Sequence, residues 1–71
     1  MIFEGTPMRT VIKRLHRAYD MNFEVKDSAL LERKLKASFK RERLEKVLGI
    51  IAFSLDIDYE IHEQTVVFKS N

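Results

Sequence analysis

Two histidines, four serines and a scatter of carboxylates are the side chains with which this 71-residue chain could do covalent or acid–base chemistry. His16 falls in a helical stretch and His62 near a turn, with no ligand spacing between them. A zinc-type site needs three or four ligands and an outer shell that orients them, so two isolated imidazoles read as surface side chains. The absence of cysteine removes thiol nucleophiles, disulfides and thiolate metal sites together. Ser28, Ser38 and Ser54 lie in no nucleophile-elbow context. Glu24 and Glu60 alternate with apolar residues, which puts them on the outward side of strands as solvated carboxylates. Gly5 and Gly49 stand alone and build no phosphate loop. No catalytic, cofactor-binding or metal-binding residue is assigned, and the chain reads as a non-enzyme that needs no cofactor.

Charge and apolar surface remain. Thirteen Lys and Arg against eleven Asp and Glu give a net charge of +2, short of the balance of a dedicated nucleic-acid binder. The charges are unevenly placed. Arg33, Lys34, Lys36, Lys40, Arg41, Arg43 and Lys46 crowd the middle of the chain, and Asp56, Asp58, Glu60 and Glu63 its later part. With Arg9, Lys13, Arg14 and Arg17, the basic group could follow a phosphate backbone. An RNA-recognition sheet would also expose stacking aromatics. Here Phe23, Phe39 and Tyr59 alternate in phase with core residues, and no RNP-like or GXXG string occurs. Nucleic acid is not the expected partner.

The elements that position these side chains must come from one small domain. The chain is 45% hydrophobic and 34% charged. Ordering each residue costs roughly 1.5 kcal/mol, and a core of this size only just offsets that. No stretch approaches the roughly 20 apolar residues of a membrane span, and the first residues lack the basic and apolar regions of a signal peptide. Phe3 is a core position close to the first residue, so the expectation is a fragment of a longer protein.

The order reads strand, helix, strand, strand, helix, strand, strand. Thr6 as N-cap and Pro7 at the first helical position start the first helix. Met8, Val11, Ile12, Leu15 and Tyr19 form its apolar stripe. Met21, Phe23 and Val25 alternate as a strand, and a polar connection with a helical turn near Ala29–Leu31 leads to a third strand through Leu35, Ala37 and Phe39. Leu44, Val47, Leu48, Ile51 and Leu55 form the second helical stripe, and Ile57, Tyr59 and Ile61 the fourth strand. Glu63-Gln64 closes a hairpin into residues 65–69, without the Gly or Asn that favours such a turn.

At an offset of 36, Phe3 superimposes on Phe39, Met8 on Leu44, Val11 on Val47, Leu15 on Ile51, Asp20 on Asp56 and Phe23 on Tyr59. Two units, 1–26 and 37–62, share one build, followed by a final strand at 65–69. Their outer helical faces differ. At 100° per residue, Arg9, Lys13, Arg14 and Arg17 lie away from the first stripe, and the matching positions of the second helix hold Glu45, Gly49, Ile50 and Phe53. A helix apolar nearly all round is buried on more than one side. The expected fold is therefore α+β, a tandem β-α-β repeat whose two helices pack between two small sheets, with the second sheet covering Phe53.

The string Phe3-Glu4-Gly5-Thr6-Pro7-Met8 followed by Val11, Ile12 and Leu15, the string Phe39, Leu44-Glu45, Val47-Leu48, and the ending Leu55-Asp56-Ile57-Asp58-Tyr59-Glu60-Ile61 with Thr65-Val66-Val67-Phe68 together resemble the C-terminal domain of FecR-type anti-sigma regulators of Bacteroidetes. That domain is similar to the short N-terminal domain of secretins and TonB-dependent receptors. The resemblance covers nearly the whole chain and rests on apolar spacing with Phe and Pro landmarks. It departs at Glu63-Gln64, where relatives tend to carry Asn or Gly. It implies a periplasmic domain of an inner-membrane protein that contacts the signalling domain of a TonB-dependent outer-membrane transporter. A cytoplasmic part outside these residues would hold a sigma factor, and a transmembrane segment outside them would supply the membrane attachment. Two alternatives stay open: the signalling domain of a TonB-dependent receptor or secretin itself, and a ferredoxin-like nucleic-acid or ligand binder with the same element order.

A partner surface can be placed by pairing the last two strands across Glu63-Gln64. Asp58 then faces Lys69, Tyr59 faces Phe68 and Ile61 faces Val66, and Val67 is an outward apolar residue. If the last strand is an edge, its free backbone groups could accept a partner strand. Val67, Ile50 and Phe53 are the apolar candidates for the interface, and Lys13 and Arg17 the basic ones that would steer an acidic surface.

Overall fold

A computed structural model describes all residues, Met1–Asn71. Its elements are β1 (Ile2–Pro7), α1 (Met8–Tyr19), β2 (Asn22–Val25), a 3₁₀ turn (Ser28–Glu32), β3 (Lys34–Ser38), α2 (Leu44–Leu55), β4 (Ile57–His62) and β5 (Thr65–Ser70). The fold is α+β, with two helices and two small sheets. One sheet is an antiparallel ribbon of β1 and β3; the other has the order β2-β5-β4. Each helix packs against strands of both sheets, α1 against β1, β3 and β2, and α2 against β3 and β4.

Local chemistry explains where the elements start and stop. Gly5 takes φ +69° at a register shift between Glu4 and Thr6, the left-handed conformation that a bulge of this kind requires. The bulge carries β1 through Thr6, so the helix starts one residue later than the Thr-Pro pair suggests. Pro7 is the N-cap and offers no side-chain cap, while the Thr6 hydroxyl instead accepts from the Glu4 amide at 3.2 Å. The Met8 amide, the first left without an intrahelical partner, donates to the Arg33 carbonyl at 2.8 Å. Both helices end alike: Asp20 (φ 55°) and Asp56 (φ 54°) are left-handed C-caps, a conformation that Asp tolerates better than most residues. Around α2's end, Arg33 donates to the Leu55 carbonyl at 3.0 Å, a cation placed where the helix dipole favours one.

The core is a single cluster of Phe3, Met8, Val11, Leu15, Leu30, Leu35, Phe39, Val47, Leu48, Ile51, Leu55, Ile57, Val66 and Phe68. Phe3 in β1 and Phe39, just after the end of β3, meet edge to face at 6.1 Å, and Phe23 stacks on Phe68 at 6.0 Å. Both spacings fall in the favourable range for aromatic pairs.

The hairpin register is the one the alternation dictates: Asp58 faces Lys69, Tyr59 faces Phe68, Glu60 faces Val67, Ile61 faces Val66 and His62 faces Thr65. The edge reading of the last strand is overturned. β5 is the central strand, paired in parallel with β2 through Asn22–Thr65, Phe23–Val66, Glu24–Val67 and Val25–Phe68. Val67 is 9% exposed, and its neighbours in register on either side are Glu24 and Glu60.

Glu60 gives the sheet a pH dependence. Glu60 accepts from Lys69 and lies 2.7 Å from His62 Nε2. The Lys69 hydrogen bond, and next the His62 one, hold its carboxyl down at about 2. A carboxylate whose folded pKa is depressed contributes stability above its unfolded value and loses it as pH falls through the folded one. The stability difference between the parent and Glu60→Gln is therefore expected to be constant from pH 7 to about pH 4.5 and to close as pH approaches 2. Urea titrations of both proteins across that range check it. A difference that stays constant down to pH 2 would mean the carboxylate is not held in the folded state.

Candidate functional site

Each helix buries one stripe, and the opposite face is what it offers a partner. On α2 the buried residues are Val47, Leu48, Ile51 and Leu55. At 100° per residue, Phe53 lies directly opposite their centre, flanked by Gly49 one turn earlier and Lys46. Phe53 is 90% exposed. The expectation that the second sheet would cover it fails, because the two sheets reach only the stripe and its flanks. Ile50, on one flank, is half-buried against the core. A Cβ built on Gly49 would meet nothing within 4 Å, so Gly49 leaves open space on the same face. The result is a solitary aromatic standing out of a smooth helix surface.

On α1 the matching positions are basic. Lys13 and Arg17 are exposed, as are Arg9 and Arg14. The four are not equivalent. Arg9 pairs with Glu32. The Arg14 guanidinium sits over the Phe3 ring at 4.7 Å from its centroid and donates to the Ile2 carbonyl at 3.3 Å. Lys13 and Arg17 have no hydrogen-bond or ion-pair partner and are the free cations of this face. The face is therefore not uniform, because Arg14 covers one side of the Phe3 ring. Lys13→Ala and Arg17→Ala are expected to change stability by less than about 0.5 kcal/mol. Arg14→Ala is expected to cost about 0.5–1 kcal/mol through the lost cation–π contact of an exposed guanidinium. Urea unfolding of the three variants checks the ranking, and an Arg14 variant no less stable than the other two would refute it.

The candidate residues thus fall into separate places. Ile50 and Phe53 share one face of α2, Lys13 and Arg17 share one face of α1, and Val67 belongs to neither, being inside the three-stranded sheet. No group of three His, Cys, Asp or Glu residues is placed to hold a metal ion. His16 Nδ1 is engaged by the Met21 carbonyl at 2.6 Å. Two surface features went unread in the sequence. Ile2 is 63% exposed on the ribbon, which its alternation with Phe3 could have signalled, and Ile61 is partly exposed on β4.

Two β-α-β units with an exposed aromatic on α2 and two unpaired cations on α1 are what the geometry describes, and comparison with known proteins gives the chain a family. The profile of the family described as FecR, C-terminal, matches residues 1–68. The chain belongs to the FecR C-terminal family. No curated protein matches the sequence. Two crystal structures of a candidate anti-sigma factor from Parabacteroides distasonis ATCC 8503, at 1.65 and 2.50 Å resolution, are similar to it, each with a TM-score of 0.90 and 25% sequence identity over 100% of this chain. The chain spans about a third of those proteins, 34% and 33% of their lengths. No helix of this FecR C-terminal domain is long and apolar enough to cross a membrane.

Proposed function

We propose that this domain is the periplasmic recognition module of a transmembrane anti-sigma regulator. It binds the signalling domain of a TonB-dependent outer-membrane transporter and relays that state to a sigma factor through parts of the regulator outside these residues. The observation that carries the reading is Phe53, an aromatic left 90% exposed on a domain small enough to need every apolar side chain it can bury. A large aromatic held out on a rigid helix suits an interface anchor, and Ile50 and the space beside Gly49 give a partner side chain somewhere to pack. Lys13 and Arg17, free of partners within the domain, add a positive field that steers an acidic surface.

The test is binding of the cognate transporter's signalling domain to folded variants. Phe53→Asp is expected to weaken binding at least tenfold, since burying a Phe side chain contributes about 1.5–3 kcal/mol, and to leave stability within about 0.5 kcal/mol. Lys13→Glu with Arg17→Glu is expected to slow association at low salt and to change little at high salt. Undiminished binding by both variants would reject this interface.

A further inference from the structure

We propose that the free edge of β3, Lys34–Ser38, takes an extended acidic segment of a partner protein as an added strand. The inference rests on the reading of the domain as a protein-recognition module and adds a second surface, distinct from the Phe53 face. In an antiparallel pair, alternate residues direct their N–H and C=O groups toward the partner strand and away from it. The bonds flanking the ribbon fix which are which. Met1 and Phe39 exchange both of their backbone bonds at 2.7 Å, and the Arg33 carbonyl accepts from Met8 at 2.8 Å. Residues 33, 35, 37 and 39 therefore point toward β1, and Lys34, Lys36 and Ser38 present their backbone groups to the open side. All three are exposed.

The two edges of the ribbon are not alike. On β1 one outward group of each residue is already used: the Ile2 carbonyl accepts from Arg14 and the Glu4 amide donates to Thr6, next to the bulge at Gly5. A bulge and local side-chain bonds are how an edge is closed. β3 has neither. A shallow groove of about 250 Å³ lies over the ribbon, lined by Ile2, Phe3, Glu4, Lys36, Ala37 and Ser38. A third strand would lie about 4.8 Å from β3, on the side away from β1.

Charge selects the occupant. Lys34 and Lys36 stand on the outer face, with Lys40 and Arg41 just beyond, and none of the four is in an ion pair; the Lys and Arg side chains paired with carboxylates are Arg9 and Lys69. A second copy added antiparallel through Lys36 would set two Lys36 side chains opposite each other, which like charges disfavour. The chain's own acidic strand is not the match, because Glu60 is held by Lys69 and His62 within its own sheet. A foreign strand with carboxylates at i and i+2 meets Lys34 and Lys36 on one face while its backbone pairs with Lys34, Lys36 and Ser38.

The experiment uses a capped eight-residue peptide of alternating Glu and Val, its Lys/Val counterpart and a single-stranded DNA oligonucleotide, with amide exchange and nitrogen–proton spectra of the domain as readouts. The Glu/Val peptide is expected to slow exchange of the Lys34, Lys36 and Ser38 amides at least tenfold. Its affinity is expected to fall at least tenfold in Lys34→Glu with Lys36→Glu. Ser38→Pro removes one outward N–H and no bond to β1, and is expected to weaken binding comparably; the charge-reversal pair decides the matter if that variant fails to fold. Absence of saturable binding, binding that leaves those three amides unprotected, equal affinity for the Lys/Val peptide, self-association through this edge, or DNA that protects the same amides would each overturn the proposal. A transporter signalling domain that binds the parent while these amides exchange freely would overturn strand addition and leave the recognition reading above standing.

Discussion

Phe39→Ala is expected to remove a large share of the domain's stability. Phe39 is 2% exposed and meets Phe3 edge to face, and its backbone holds Met1 through two bonds of 2.7 Å. Truncating a buried Phe costs about 3–5 kcal/mol through lost transfer energy and the cavity left behind. At about 0.05–0.15 kcal/mol per residue, a chain of this length has roughly 4–11 kcal/mol to lose. The cavity has little scope to collapse, because Arg14 covers the Phe3 ring and the ribbon is tied to α1 through the Arg33 carbonyl. Phe53→Ala is the control, the same chemical change at a side chain standing in water, expected within about 0.5 kcal/mol. Urea unfolding followed by circular dichroism, with an unchanged slope and a shifted midpoint, measures both. Equal midpoints for the two variants would mean that the ribbon's inner face does not carry the core.

Periodicity made much of this fold legible. The stripe Met8, Val11, Leu15 is buried on α1, and Val47, Leu48, Ile51, Leu55 on α2. In the hairpin, one face must take Ile61, Val66, Tyr59 and Phe68 together, and only one register does so, because a one-residue slip sends every side chain to the other face. Alternation fixes faces, however, and says nothing about edges. Which strand pairs with β5's second edge depends on β2, more than 40 residues earlier in the chain, and no local pattern encodes that parallel pairing. A signal was nonetheless present. Val66-Val67-Phe68 is three apolar residues in a row, and a strand shielded on both faces reads as a run and not as an alternation.

The candidate site was legible in part and for a related reason. The helical wheel places Phe53 opposite the core stripe, but an apolar residue on an outer face is equally the mark of a second covering layer and of an uncovered anchor. Only the reach of the two small sheets separates these. The free edge of β3 was illegible for a different reason. It depends on which backbone groups point outward, set by the Met1–Phe39 and Met8–Arg33 bonds, while Lys34, Lys36, Lys40 and Arg41 read in the sequence only as a basic cluster.

Val67→Pro is expected to unfold the domain, where an edge strand would have tolerated it. A proline removes its backbone N–H and is found in sheets essentially only on edges or at bulges. Val67 has a partner on both sides, Glu24 on β2 and Glu60 on β4, so neither direction of its backbone faces water. The lost donor leaves a buried ladder carbonyl unpaired, at about 1–3 kcal/mol, and the ring strains both pairings at once. The adjacent Val66 and Phe68 are fully buried, so a distortion at Val67 reaches the core through both neighbours. Val67→Thr keeps the β-branched shape and the N–H, and is expected to lose only about 1 kcal/mol, the span of strand propensities. Circular dichroism and amide exchange of β2, β4 and β5 distinguish the outcomes. Loss of protection in all three strands with Val67→Pro, and its retention with Val67→Thr, is the signature of a central strand that holds the sheet together. A folded Val67→Pro variant with the parent's midpoint would return β5 to an edge, and with it the backbone of Val67 to the partner.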